Sequence, residues 1–486
     1  MDSARLKILF LAAEAVPFAK VGGLADVAGA LPKALHALGH DVRLMIPRYG
    51  SIRSDRFHFD KVGKSFPVPT GPNEERVHLV RTETEGGVPV YLVWDEKFFS
   101  PRERVYGFDD DPQRFAFFGR AAISALPLLG WMPDVIHAND WHTAVVPTWL
   151  AYEGRYLREY HHLASLFTIH NLAYQGISGR LILTFAQMEY VRHLEVEPPG
   201  QVNWMAQGIV NADLISTVSP QYARDILETE AGAGLAPLLR ARRDRLTGVL
   251  NGIDYELWNP ATDPRIPQRF DLSSLNMRAV NKAALQQEAR LPVRPDVPLV
   301  GMVSRLDPVK GIDILEPVLE RLLARDVQFI LLGTGQPEYH EMLEGFQARF
   351  PDKMRAFLRY DDTLARRIYA GCDLFLMPSR FEPCGLGQMI AMRYGAVPVV
   401  HRTGGLADTV TDYHDLPDRA TGFVFVSFTP EACLEALERA LGVFRDREAW
   451  VGLQTQGMKA DFSWKASARK YVELYRRAIE LHACAQ

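Results

Sequence analysis

Lys7-Ile8-Leu9-Phe10-Leu11-Ala12-Ala13 is a compact apolar run, followed by Lys20-Val21-Gly22-Gly23 and then by Leu24, Val27, Ala28, Leu31, Leu35 and Leu38 at helical spacing. Strand, glycine loop and helix in that order open a Rossmann-like unit. Gly39 stops the helix before a second apolar run at 42–46. Pro32, inside the helix, predicts a kink or a break there. Further short apolar runs at 89–94, 135–137, 166–169 and 214–218 are separated by helix-length segments, which predicts a doubly wound parallel sheet.

The same grammar restarts with a strand at 299–303, a loop from Ser304 to Gly311, an amphipathic helix at 312–324 and a strand at 327–332. A strand at 374–377 leads into the loop 378–387, another helix and a strand at 396–400. The fold class is therefore α/β with two Rossmann-like domains. Segment 259–270, with Pro260, Pro264 and Pro267, reads as a semi-rigid linker. The expected division is 1–255, 256–463 and a C-terminal helix at 464–486, with the junction at roughly 250–265. Two such domains facing one another are expected to enclose an interdomain cleft, because ligands of open α/β sheets sit beyond the carboxyl ends of the strands. Closure about the linker and the chain near Ser463 would exclude water.

Composition removes whole classes of function. A chain of 486 residues exceeds one hydrophobic core, and 47% hydrophobic with 23% charged residues is ordinary for a globular protein. Lys and Arg number 55 against 59 Asp and Glu, so no global basic field points to a nucleic-acid partner. Cys372, Cys384, Cys433 and Cys484 show neither CxxC spacing nor disulfide density, which fits a reducing cytoplasm. The first apolar run is broken by Glu14 and reads as a strand, not a signal peptide; no transit-like leader precedes it, and no membrane partner is expected.

Four segments carry chemistry. Gly22 and Gly23, ahead of a helix and beside Lys20, allow close approach of a phosphate, although a tight βα turn has the same residues. Arg305 and Lys310 place two cations on one strand–helix loop, where they can stabilise the charge of a departing diphosphate; a solvated basic loop is the simpler reading. Glu382 and the run Cys384-Gly385-Leu386-Gly387 combine a carboxylate with backbone donors, as sugar hydroxyls require, and Cys384 reads as a small packing residue. His137, Asp140, His142 and His170 end first-domain strands, but no thiol or second carboxylate completes a metal set, and the acidic run Asp109 to Asp111 reads as a solvated turn. No metal and no cofactor are expected.

Taken together, the segments beginning at Lys20, His137, His170, Ser216, Val249, Ser304, Pro378 and Thr403 resemble, in order and over essentially the whole chain, those of the bacterial glycogen and plant starch synthases. The resemblance implies the glycosyltransferase-B fold, an ADP-glucose donor, a glycogen or α-1,4-glucan acceptor, and retention of configuration. It implies that Arg305 and Lys310 hold the diphosphate with help from Gly22 and Gly23. Glu382, Cys384, Gly385 and Leu386 would hold the glucose, with His170 near the reacting sugar. Asp140 and Asn251 would line the cleft, Tyr360 would lie against the base, and Lys20 and Asp26 would share one wall. Val309 stands where the family commonly has Gln, and Gly387 where Thr is common, so these departures bear on nucleotide preference. The alternatives are a UDP-glucose-dependent synthase, another glycosyltransferase of the same fold, a glucan phosphorylase, which would need pyridoxal phosphate, and a non-catalytic glucan-binding homologue.

Overall fold

The computed structural model describes residues 5–484, which divide into two compact units. The first runs to Gly252 and takes in the segment from Trp464 onward; the second is Ile253–Ser463.

In the first unit nine strands form one sheet, in the order Leu246–Gly248, Leu214–Thr217, Ala164–Ile169, Val135–Asn139, Lys7–Leu11, Asp41–Pro47, Pro89–Trp94, Asn73–Glu83 and Asp60–Thr70. The first seven are parallel, the expected strands among them, whereas the last two, which the sequence did not announce, pair antiparallel and make the sheet mixed. Segment 60–83 has Gly63, Pro67, Pro69 and many charges, which hid its strands. Asp60–Thr70 is the edge strand, where proline is tolerated because one side of the strand donates to nothing.

The helix Gly23–Ala37 continues through Pro32, against the expected break. Pro32 is itself buried, and Leu24, Val27, Ala28, Leu31 and Leu35 form a buried stripe. That stripe packs on the strand Asp41–Pro47 and on the helix Trp464–Cys484, which offsets the one helical hydrogen bond that proline cannot donate. The helix Trp464–Cys484 lies on the first unit's sheet, with Tyr471 and Tyr475 fully buried. The Tyr475 hydroxyl lies 2.8 Å from His137 Nδ1, while His137 Nε2 lies 2.6 Å from Thr168 Oγ1. Burial holds the His137 imidazole neutral, its pKa well below the ordinary histidine value.

The second unit has a six-stranded parallel sheet, ordered Met354–Phe357, Gln328–Leu332, Leu299–Val303, Leu374–Met377, Val397–His401 and Phe423–Phe425. The helix expected at 312–324 is a 3₁₀ turn, Ile312–Ile314, running into an α-helix, Leu315–Leu323. Segment 259–270 is not a free linker. Its Asp263 is buried and accepts from Arg366 Nη1 at 2.9 Å and from the Tyr394 hydroxyl at 2.6 Å. The Phe270 N–H donates to the Pro260 carbonyl. Three prolines and no periodicity resemble a linker in sequence, but the buried pair pins the segment to the second unit and removes it as a hinge. Among the described residues no helix is long and apolar enough to cross a membrane.

Candidate active site

In the first unit, neighbouring strands deliver polar residues at their carboxyl ends: Lys7–Leu11 leads to Glu14 and Lys20, Val135–Asn139 to Asp140, and Ala164–Ile169 to His170. Asn139 Nδ2 donates to the Leu11 carbonyl, which leaves Asn139 Oδ1 as an acceptor for His170 Nε2 at 2.8 Å. The His170 backbone N–H donates to Asp140 Oδ1 at 2.7 Å. Burial lowers the His170 pKa to about 3, so its imidazole is neutral at ordinary pH. Burial also raises Asp140 to about 7, against the opposing effect of the His170 and Asn171 N–H groups. Asp140 adopts a φ of 56°, which L-residues other than Asn and Asp seldom take.

Glu14 was not singled out beforehand, yet it organises the glycine loop. Its carboxylate accepts from the Val21 N–H at 2.5 Å and the Gly22 N–H at 3.1 Å, with a further bond from the Tyr106 hydroxyl. The only signal was an acid inside an apolar stretch at a strand's carboxyl end. This corrects the view of the Gly22 N–H as a ready phosphate donor: an anion at that group competes with Glu14. Burial raises the Glu14 pKa, and the charge of Asp26 adds to the effect. Lys20 Nζ donates to Asp26 Oδ1 at 2.7 Å, so these two share one patch. Asn251 is buried, and its Oδ1 has no partner among the described residues.

His142 packs its ring on Trp141, at 4.2 Å between centroids, and against Phe115. Asp110 and Asp111 do not form a merely solvated turn. Arg102 Nη2 donates to Asp110 at 2.7 Å, and Arg114 Nη1 donates to Asp111 at 2.5 Å. Among the described residues no group of three or more His, Cys, Asp or Glu could hold a metal ion.

In the second unit, Arg305 and Lys310 follow the strand Leu299–Val303, and Glu382 follows the adjacent strand Leu374–Met377. Lys310 Nζ donates to Glu382 Oε2 at 2.6 Å, and Ser379 Oγ donates to the same oxygen at 2.9 Å. Glu382 is buried, whereas Arg305 is largely exposed beside Asp307. The approach of the two loops depends on glycine. A Cβ on Gly311, whose φ is 75°, would sit 2.0 Å from the Pro378 carbonyl oxygen, and one on Gly405 would sit 2.0 Å from that of Cys384. Cys384 is buried, and Gly385 and Leu386 lead into the helix Gly387–Arg393. Ser304, Arg305, Lys310, Ser379, Glu382, Leu386 and Gly387 line one cavity of about 160 Å³. Tyr360 stands apart from that cavity on an exposed loop. Sequence reading had not singled out Ser379 or Asn139.

Residues 7–241 match the family model described as starch synthase catalytic domain, and residues 285–450 match that of glycosyl transferases group 1. A glycogen synthase of Moorella thermoacetica is 47% identical over 480 residues, covering 98% of this chain and 97% of that one. A glycogen synthase of Syntrophotalea carbinolica is 44% identical over 484 residues, covering 98% and 100%. The solved catalytic domain of starch synthase IV from Arabidopsis thaliana, bound to ADP and acarbose, aligns with a TM-score of 0.91 at 36% identity, covering 98% of this chain and 100% of that one. At 20% identity and a TM-score of 0.59, a sucrose-phosphate synthase from Thermosynechococcus elongatus, aligned over 97% and 98% of the two chains, shares the fold. With two Rossmann-like units of the glycosyltransferase-B type and near full-length similarity to these enzymes, the chain belongs to the glycogen and starch synthase family.

Proposed function

We propose that the chain transfers an α-glucosyl unit from ADP-glucose to the non-reducing-end 4-hydroxyl of an α-1,4-glucan such as glycogen, with retention of configuration. The observation that carries this reading is the paired Lys310 and Glu382, with Arg305 on the same cavity, in a chain 47% identical to a glycogen synthase. The ADP-bound starch synthase IV supports the choice of nucleotide. On this reading, donor binding exchanges partners: Lys310 turns its charge to the diphosphate with Arg305, and Glu382, freed of the lysine, accepts from glucose hydroxyls. The backbone at Cys384, Gly385 and Leu386 contributes the matching donors, and Tyr360 provides a ring for the base.

On the same reading, the first unit's Lys20, Asp26, Gly22, Gly23, Asp140 and Asn251 are the residues that contact the substrates. His170 is neutral, so it can hydrogen-bond near a sugar that is gaining positive charge without repelling it. As the bond between the anomeric carbon and the diphosphate oxygen breaks, the acceptor oxygen bonds to that carbon from the same face. Its proton passes to the departing diphosphate. Among the described residues the four cysteines form no disulfide, which fits a cytoplasmic setting. Incorporation of labelled glucose into glycogen from ADP-glucose, compared with UDP-glucose, tests the proposal. A higher kcat/KM with UDP-glucose would overturn the donor, and no incorporation from either would overturn the activity.

A further inference from the structure

The second unit has another cavity, of about 410 Å³, at the other end of its sheet. Asp373 and Pro295, which line it, precede the strands Leu374–Met377 and Leu299–Val303, whereas Glu382 and Arg305 follow those same strands. The two strands run parallel, so their length, roughly 13–16 Å, separates this cavity from the diphosphate loop.

One wall is the helix Arg278–Glu288, whose inward face carries Arg278, Lys282 and Gln286 at successive four-residue steps. An amphipathic helix ordinarily turns apolar residues inward, yet these are only 6%, 6% and 0% exposed. Lys282 is fully engaged, with Asp373 Oδ2 at 2.7 Å, the Pro295 carbonyl at 3.0 Å and the Val297 carbonyl at 2.7 Å. Arg278 is engaged only in part. Its Nε donates to the Tyr394 carbonyl at 2.8 Å and its Nη2 to the Cys372 carbonyl at 2.6 Å, while Nη1 makes no hydrogen bond among the described residues. Gln286 Oε1 is buried without a partner. Arg447 also lines the cavity and forms no ion pair or hydrogen bond among the described residues. Burial lowers the Arg278 pKa; Cys372 and Asp373 oppose that shift, and the like charge of Arg447 adds to it.

Asp373, paired with Lys282, is the one carboxylate among the residues lining the cavity, so its three cations exceed its acids by two charges. A phosphate monoester carries nearly two negative charges at neutral pH and matches the arginine fork, whereas a single carboxylate supplies half that charge. The volume falls in the range of small-ligand pockets. We propose that this cavity is a second ligand site for a small phosphorylated metabolite, with its phosphate held by Arg278 and Arg447 and its carbon body against Leu275, Val293 and Phe444.

Calorimetric titration of the full chain, saturated with ADP so that nucleotide binding does not interfere, tests this with ribose 5-phosphate and inorganic phosphate. The expected result is binding of ribose 5-phosphate tighter than about 1 mM and tighter than that of the free ion. Arg447→Glu, at an exposed position, should weaken it at least about tenfold by removing one charge-assisted contact, and Ala279→Trp, at the cavity rim, by at least about as much through filling the space the ligand takes. Arg305→Ala should leave it unchanged. No binding at about 1 mM, equal affinity for the free ion, or insensitivity to both cavity variants would overturn the proposal.

Discussion

Replacing Lys310 by alanine removes the cation 2.6 Å from Glu382 Oε2 and leaves that carboxylate with Ser379 as its remaining side-chain donor. Breaking a fully buried ion pair from one side costs about 3–5 kcal/mol. The Lys310 side chain is 21% exposed and that of Glu382 9%, so water reaches the vacated place and the expected loss falls to about 1–3 kcal/mol. Catalysis should suffer separately. One preorganised stabiliser of developing charge is worth about 100-fold in turnover, near 2.7 kcal/mol. Adding Glu382→Gln to Lys310→Ala removes the stranded charge, so the double variant should regain most of the lost stability and none of the lost activity. Denaturant midpoints and steady-state transfer from ADP-glucose measure the two effects on the same preparations. Stability losses that simply add in the double variant, or wild-type turnover in a folded Lys310→Ala, would refute the reasoning.

Three further outcomes are expected. The folded chain keeps a proton on Asp140 up to about pH 7, while the unfolded chain loses it near the ordinary aspartate value of 3.8. Stability therefore falls as pH rises through this window, by roughly 2–3 kcal/mol between pH 5 and pH 8. Asp140→Asn should flatten that dependence in urea titrations, and an unaltered pH slope would contradict the assignment. Gly405→Ala drives a methyl group to 2.0 Å from the Cys384 carbonyl oxygen and so displaces the loop holding Glu382. It should raise the KM for donor and lower kcat at least about tenfold, as misplacement of a positioned site does; unchanged kinetics would mean the loop tolerates the shift. Transfer should persist in EDTA, since Arg305 and Lys310 can supply the electrostatic stabilisation a metal would give. Loss of activity on chelation, reversed by a divalent ion, would contradict this.

Much of the architecture was legible because both units announce themselves locally, as apolar runs of strand length separated by loops and helix-length segments. The two strands at 60–83 were not: the edge strand Asp60–Thr70 carries prolines, and its neighbour Asn73–Glu83 is rich in charge, so neither has a strong apolar signal. The site divided along similar lines. Arg305, Lys310 and Glu382 stand on loops whose position after a strand is visible in one dimension. Asn139 orients His170 only because the fold brings neighbouring strand ends together, and Glu14 meets the glycine loop only because the chain turns back after its strand. Segment 259–270 misled for the opposite reason: its anchor, Arg366, lies about a hundred positions away, beyond the reach of any local pattern.

The helix Trp464–Cys484 is part of the first unit's interior, with Tyr475 reaching His137 across most of the polypeptide's length. During synthesis the ribosome must therefore produce the entire second unit before it delivers the piece that covers the first. The second unit's residues are contiguous, so it can complete itself while translation continues. The first is completed only when Tyr471 and Tyr475 arrive to fill their buried places. The order of completion can thus run opposite to the order of translation, and a ribosome stalled before Trp464 leaves the earlier-made half as the unfinished one.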